Sequence, residues 1–235
     1  MKSAVAKTKN VIAAFDAYQS IVEASQSGTP AMAMFTGTAG LGKTTAGSWL
    51  FAKADGLLVR CLKADTLGTF LSRLAMELSG DSAGISRAAR LDFIVRELAG
   101  SQKPLFIDEC DYIADKTEIL ETIRDIYDLT GVPVILIGYS VLPSKVKRLG
   151  QLYSRISQHV EFKPADFDDL SLMAKELVTD TFIKPCLLQD LLNAAQGNFR
   201  RLHTGLDAIE KFARTNTLRE IEAHQWGDKP FFPQV

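Results

Sequence analysis

Residues 34–45 read Met34-Phe35-Thr36-Gly37-Thr38-Ala39-Gly40-Leu41-Gly42-Lys43-Thr44-Thr45. Positions 37–44 follow GxxxxGK[ST], and the flanks suit it: an apolar run from Ala31 to Phe35 has strand character, and a helix opens near Lys43. The chemistry explains the spacing. Glycines let consecutive backbone N–H groups curl around phosphate oxygens without Cβ clashes. The following helix turns its positive end toward the anion. Residues Gly37, Thr38, Ala39, Gly40, Leu41, Gly42, Lys43, Thr44 and Thr45 are therefore the candidate cradle. Lys43 is placed to reach the β/γ-phosphates, and Thr44 to offer its hydroxyl to Mg²⁺.

Outward from this loop, strands alternate with helices. An amphipathic helix is expected from about Lys7 to Ala24, where Val11, Ile12, Phe15, Tyr18, Ile21 and Val22 recur at three and four. Leu57–Cys61, Pro104–Ile107, Val132–Ile137 and His159–Phe162 are further strand candidates. Helices are expected at Leu67–Leu78, Arg90–Leu98 and Glu118–Leu129, the first two separated by the Gly/Ser-rich SGDSAGIS. Such alternation predicts an α/β fold, with a parallel five-stranded sheet sandwiched by helices. After Pro164 the pattern becomes purely helical: Asp166–Thr181, Pro185–Ala195, Asn198–Thr215 and Leu218–His224. The expected organisation is a nucleotide-binding core over 1–164, which includes the N-terminal helix, and a small all-helical lid with a C-terminal tail over 165–235.

The apolar strand Pro104-Leu105-Phe106-Ile107 ends in Asp108-Glu109. Following a phosphate loop, this pair has a defined chemistry. Asp108 would hold Mg²⁺ beside Thr44. Glu109 would orient and polarise the attacking water. Asp111 and Asp115 read as an exposed acidic helix start. The strand Val134-Ile135-Leu136-Ile137 ends in Gly138-Tyr139-Ser140, where Ser140, with Tyr139 as the alternative, is placed to touch a γ-phosphate or the water. Arg155, in Leu152-Tyr153-Ser154-Arg155-Ile156, is a candidate to neutralise charge on a neighbouring subunit's nucleotide. In Gly197-Asn198-Phe199-Arg200-Arg201, an arginine gains nothing from the helix dipole of its own first turn. Arg200, ahead of Arg201, is the candidate to reach nucleotide from the lid.

Taken together, GTAGLGKT, LFIDE, the polar residue after the fourth strand, Ser-Arg-Ile and GNFR resemble an AAA+ ATPase over roughly Lys7 to Phe212. The phrasing MFTGTAGLGKTTA, LFIDECDYI and VPVILIGYS is most similar to DNA transposition ATPases of the phage Mu B type. That resemblance implies ATP and Mg²⁺ as cofactors, and ATP-dependent, sequence-tolerant binding to duplex DNA. It further implies homo-oligomeric rings or helical filaments that deliver target DNA to a transposase and stimulate it. The Mu B type carries an additional N-terminal helix-turn-helix domain, whereas this sequence opens close to the ATPase core. In an AAA+ assembly, loops after the second strand and before the helix that leads to the third strand line a central channel. Lys63 and Arg87, then Arg90, are accordingly the expected DNA contacts. A helicase-loader ATPase and a nucleotide-gated protein–protein switch without DNA are the competing readings.

Bulk composition limits these readings. The 235 residues carry 27 basic and 28 acidic side chains, for a net charge of -1, so DNA would have to be held by local patches rather than bulk charge. Eight carboxylates between Asp108 and Asp128 face only Lys116 and Arg124, whereas Lys145, Lys147 and Arg148 form a basic run. Cys61, Cys110 and Cys186 are far apart and read as buried free thiols in a reducing cytosol. His159, His203 and His224 are scattered, with no metal-ligand spacing. No segment approaches the roughly 20 apolar residues of a membrane span, so a soluble cytoplasmic protein is expected.

Overall fold

The computed structural model describes residues 1–2, 4–79 and 86–233. Its elements run α1 (Lys9–Gln26), β1 (Met32–Thr36), α2 (Lys43–Lys53), β2 (Leu57–Arg60), α3 (Leu67–Ser79), α4 (Arg87–Ser101) and β3 (Leu105–Asp108). A single 3-10 turn, Cys110–Tyr112, precedes α5 (Thr117–Thr130), β4 (Val134–Gly138), α6 (Leu142–Val146), α7 (Gly150–Tyr153) and β5 (Ile156–Glu161). The C-terminal part comprises α8 (Phe167–Leu177), β6 (Phe182–Ile183), α9 (Pro185–Ala195), α10 (Phe199–Thr215), β7 (Glu220–Ile221) and α11 (Ala223–Trp226). Most of the Gly/Ser-rich stretch read from the sequence, residues 80–85, lies outside the described residues.

Two compact units emerge. One comprises Ala13–Gly37 and Lys43–Glu161; the other comprises Met1–Ile12, Thr38–Gly42 and Phe162–Val235. The sequence places the division at 164/165. The structure moves it to 161/162 and adds two distant segments to the helical unit, for local reasons. Asn10 exchanges two hydrogen bonds with the Lys163 backbone, at 2.8 and 3.1 Å. Lys9 forms ion pairs with Asp166 and Asp168, and its backbone N–H donates to Asp169.

In the α/β unit, all strand pairings are parallel and the order is β2-β3-β4-β1-β5. Strands β1, β3 and β4 are buried at every position. Continuous apolar runs such as Val-Ile-Leu-Ile reflect a sheet covered on both faces. One large cluster packs α3, α4 and α5 over β2, β3 and β4, through Phe70, Leu74, Ile94, Leu98, Ile119 and Ile123. At β5, an edge strand, residues alternate between half-buried and exposed.

The helical unit has its own core, in which Leu170, Leu191, Leu202, Leu206 and Ile209 are fully buried. Two expectations are corrected here. The C-terminal part is not purely helical, because β6 and β7 form a short parallel pair. The anticipated helix at Leu218–His224 is instead β7 followed by α11, which a capping box between Glu222 and Gln225 starts at Ala223. The aromatic tail docks on this unit. Trp226 is buried, with Phe231 stacked on it at 5.4 Å and Phe212 against its edge. Of the three thiols, Cys61 and Cys110 are buried as expected, but Cys186 is exposed. Among the described residues, no helix is long and apolar enough to cross a membrane.

Ile135 lies at the centre of β4 with no exposed surface. Ile135→Ala should lower the unfolding free energy by about 2–5 kcal/mol in a urea titration, the usual cost of a buried aliphatic truncation.

Candidate active site

Parallel pairing sets the site. Thr36 at the end of β1 lies level with Gly138 of β4, and Ile107 of β3 with Leu136 of β4. The C-terminal ends of β1, β4 and β3 therefore line up on one edge of the sheet, the place where open α/β sheets take ligands. Four of the sequence candidates meet there. The Thr44 hydroxyl lies 3.4 Å from Asp108 Oδ1. Asp108 is almost fully buried, so its carboxylate needs positive or donor partners. It accepts the Glu109 backbone N–H at 2.9 Å and faces the Arg60 guanidinium at 3.5 Å. Glu109 itself has φ +56, an uncommon conformation for a non-glycine residue.

Lys43 donates from Nζ to the Gly37 carbonyl at 2.7 Å and lies 5.1 Å from the Tyr139 ring centre. At the end of β4, the residue that meets Lys43 is thus Tyr139. Ser140 is exposed and, among the described residues, makes no hydrogen bond. The donor set suits Mg²⁺: a threonine hydroxyl and one carboxylate are hard oxygen ligands that leave positions for waters and phosphate oxygens. Among the described residues, no group of three or more His, Cys, Asp or Glu side chains forms a closed metal cage.

Asp111 is not part of an exposed acidic face. Its Oδ2 accepts the Tyr139 backbone N–H at 2.7 Å, and its buried Oδ1 has no hydrogen-bond partner among the described residues. Burial pushes its carboxyl above the usual carboxylate range, against the opposing pull of that N–H and of Lys43. The link ties the turn after Glu109 to the end of β4. Asp115, by contrast, is exposed as read from the sequence and pairs with Lys145.

Arg155 precedes β5, half-exposed, and forks onto Asp128 through Nε–Oδ1 and Nη2–Oδ2, both 3.0 Å. Arg200 is exposed in the first turn of α10 and, among the described residues, its side chain makes no ion pair or hydrogen bond. Arg201 is engaged by the tail, 4.4 Å from the Phe232 ring centre. The three expected DNA contacts differ. Lys63 is exposed, and its carbonyl accepts the Lys116 ammonium. Arg87 is exposed and 3.7 Å from Glu118. Arg90 is half-buried, with a long 3.5 Å contact to the Gly68 carbonyl, and its buried Nε has no hydrogen-bond partner among the described residues. With Nε buried, Arg90 offers a phosphate less than its full fork.

The helical unit holds the tip of the loop. Asn198 Nδ2 donates to the Ala39 carbonyl at 3.1 Å, the Arg200 backbone N–H to Gly40 at 3.2 Å, and Asn10 Nδ2 to Leu41 at 3.4 Å. Sequence reasoning passed over Arg60, Asn10 and Asn198. Arg60 becomes visible only when β2 is paired with β3. Asn198 stands within the GNFR motif, where the arginines drew the interpretation.

The sequence profile of the AAA domain family matches residues 26–145, just over half of the chain. A potential ATP-binding protein of Staphylococcus aureus is 28% identical over 125 residues, which are 50% of this chain and 45% of that protein. The Mu-like prophage FluMu DNA transposition protein B of Haemophilus influenzae is 23% identical over 181 residues, 73% of this chain and 62% of that one. The chain therefore spans less than two thirds of either relative. Among solved structures, the ORC2 protein of Aeropyrum pernix, in ADPNP and ADP complexes, superposes with a TM-score of 0.70 at 17% identity. That match covers 94% of this chain and 67% of that one, and at this identity it speaks for the fold alone.

The Asp111 link can be tested through stability. Asp111→Ala leaves the Tyr139 N–H unpaired and should cost about 1–3 kcal/mol. Asp111→Asn keeps an acceptor and should cost less. The raised carboxyl gives a pH signature. The folded protein holds this proton more tightly than the unfolded chain, so wild-type stability falls relative to Asp111→Asn as pH rises upward from about the ordinary value of 3.8. Parallel urea titrations across that range would show whether the difference changes in this direction.

Proposed function

The chain belongs to the AAA domain family, and from that premise we propose that it is an ATPase that binds duplex DNA in an ATP-dependent, sequence-tolerant manner and serves a transposase. The observation that carries the DNA reading is the relationship to a Mu-like transposition protein B across 73% of the chain. The hydrolytic part of the reading rests on Lys43, Thr44, Asp108 and Glu109 at one sheet edge.

In this reading, Lys43 exchanges its contact with Gly37 for the β/γ-phosphates of ATP. Thr44 and Asp108 would hold Mg²⁺, which would supply charge neutralisation at the phosphates. Glu109 polarises the attacking water, its carboxylate standing next to Asp108 at the end of β3. Tyr139 or Ser140 senses the γ-phosphate, and Arg200 approaches nucleotide from the start of α10. Arg155 acts on the nucleotide of an adjacent subunit in a ring or filament, and must leave Asp128 to do so. Lys63 and Arg87 are the cations offered to phosphate. Arg90 is the weakest candidate of that set, for the burial given above. The polymer brings target DNA to the transposase, and hydrolysis releases it.

Three substitutions separate these roles. Lys43→Ala should abolish nucleotide binding and, with it, assembly. Glu109→Gln should bind ATP and remain on DNA while turnover falls by at least 100-fold, within the range expected for loss of a general base. Arg155→Ala should lower turnover with little change in the nucleotide affinity of the monomer.

The reading as a whole is tested by filter retention of random-sequence duplex at low salt with ATP, with ADP and without nucleotide. Retention with ATP only, and a steep loss with rising salt, are expected. Absence of ATP-dependent retention would remove the DNA reading and leave the protein–protein switch. Preference for single strands together with a copurifying helicase would favour a helicase loader.

A further inference from the structure

We infer that Asn198, supported by Asn10, is a positioning residue for the phosphate loop. It orients the N–H groups at the tip of the loop before any nucleotide arrives. This rests on the reading of residues 37–44 as the phosphate cradle.

The observation is the fate of three consecutive carbonyls. Ala39, Gly40 and Leu41 each accept a donor from elsewhere in the helical unit: Asn198 Nδ2 at 3.1 Å, the Arg200 N–H at 3.2 Å and Asn10 Nδ2 at 3.4 Å. A trans peptide is rigid and planar, so its C=O and N–H point in opposite directions. Holding the carbonyls of residues 39, 40 and 41 therefore turns the N–H groups of Gly40, Leu41 and Gly42 away from those donors, as one set. That set is the part of the loop whose amides would meet phosphate oxygens. Left alone, Gly40 and Gly42, at φ +80 and +88, are the residues with most backbone freedom to lose.

The fit at Gly40 is close. A Cβ placed there would lie 2.3 Å from Asn198 Nδ2 and 2.4 Å from Oδ1. Gly40 is thus required twice, for its positive φ and for the space that the amide occupies. Asn198 is itself held, because it caps α10 by accepting the Arg201 N–H at 3.2 Å. Asn10 is buried and fixed by its two bonds to the Lys163 backbone. The same Asn198 that starts the helix thus grips the loop.

The capping and gripping roles separate by substitution. Asn198→Ser keeps a good capping oxygen but is too short to reach Ala39. Asn198→Asp keeps both length and cap, and replaces the donor with a charge that repels both the carbonyl and phosphate. Affinity for a fluorescent ATP analogue and the melting temperature of the nucleotide-free full chain are measured for both.

The expected result for Asn198→Ser is an affinity about 3- to 10-fold weaker, because binding must then order the loop, with a melting temperature lowered by no more than about 2–4 °C, the effect of one lost hydrogen bond. Asn198→Asp should bind more weakly still. If Asn198→Ser melts early, Asn198→Asp decides on the same two readouts. Affinity within twofold of wild type, or a loss that tracks melting temperature through both variants, overturns the inference. Lys43→Ala is the control. If it binds the analogue as wild type does, the phosphate-loop reading itself fails. If it does not bind while the Asn198 variants bind normally, only the positioning role fails.

Discussion

The placement of β4 between β1 and β3 is the constraint on which the rest of the site depends. Because all three strands are parallel and in register, the residue after each strand arrives at the same edge. Thr44, one turn beyond β1, then meets Asp108, which is 64 residues away in sequence, at 3.4 Å. No local preference could bring a threonine and a carboxylate together over that separation. What does so is the burial of Met34, Phe35, Ile107, Leu136 and Ile137, all essentially without exposed surface. A slip of one residue in any pairing would turn these side chains to the opposite face and move Asp108 off the edge.

At that edge the charged groups of Asp108 and Lys43 are held by protein partners. Asp108 is buried with a long contact to Arg60, and Lys43 rests on a backbone carbonyl and the face of Tyr139. Under the proposed reading, Asp108 would face the magnesium ion and Lys43 the phosphates. Asp111 is held differently. One oxygen is committed to the Tyr139 N–H and the other is shut away from solvent, so the turn carrying Glu109 and the end of β4 are mechanically joined.

Elements defined by hydrophobic pattern or by a motif were legible in the sequence. Strand β1, α9 with bounds Pro185–Ala195, and the Gly37–Thr44 loop follow from apolar runs, a proline at the helix start and fixed glycine spacing. The pairs that depend on tertiary register were not. Arg60 facing Asp108 requires knowing that β2 lies beside β3. Asp111 looked exposed because the three acids around it set an acidic local pattern, whereas its neighbour in space, Tyr139, is 28 residues on. The β6–β7 pair escaped because two residues carry no periodicity, and its strands form only where the chain segments flanking α9 and α10 meet. Asn10 and Asn198 show a further limit. An asparagine that caps a helix or fills a gap over a glycine has no sequence signature separate from a solvated one.

The near-zero net charge takes on meaning through distribution rather than total. In the α/β unit much of the acid is already engaged: Asp128 with Arg155, Asp115 with Lys145, Asp65 with Arg73, and Glu118 within 3.7 Å of Arg87. These mostly exposed pairs are individually weak. They nevertheless occupy cations that a polyanion would otherwise find free. In that unit Lys63, Lys147 and Arg148 are exposed and make no ion pair among the described residues, and the attraction of so few charges is largely screened at ordinary salt. Under the proposed reading, an assembly repeats those few cations along a groove. The salt-sensitive terms then add across subunits, so DNA affinity becomes a property of the polymer. Nucleotide state would govern DNA binding by governing assembly, without any need for a strongly basic chain.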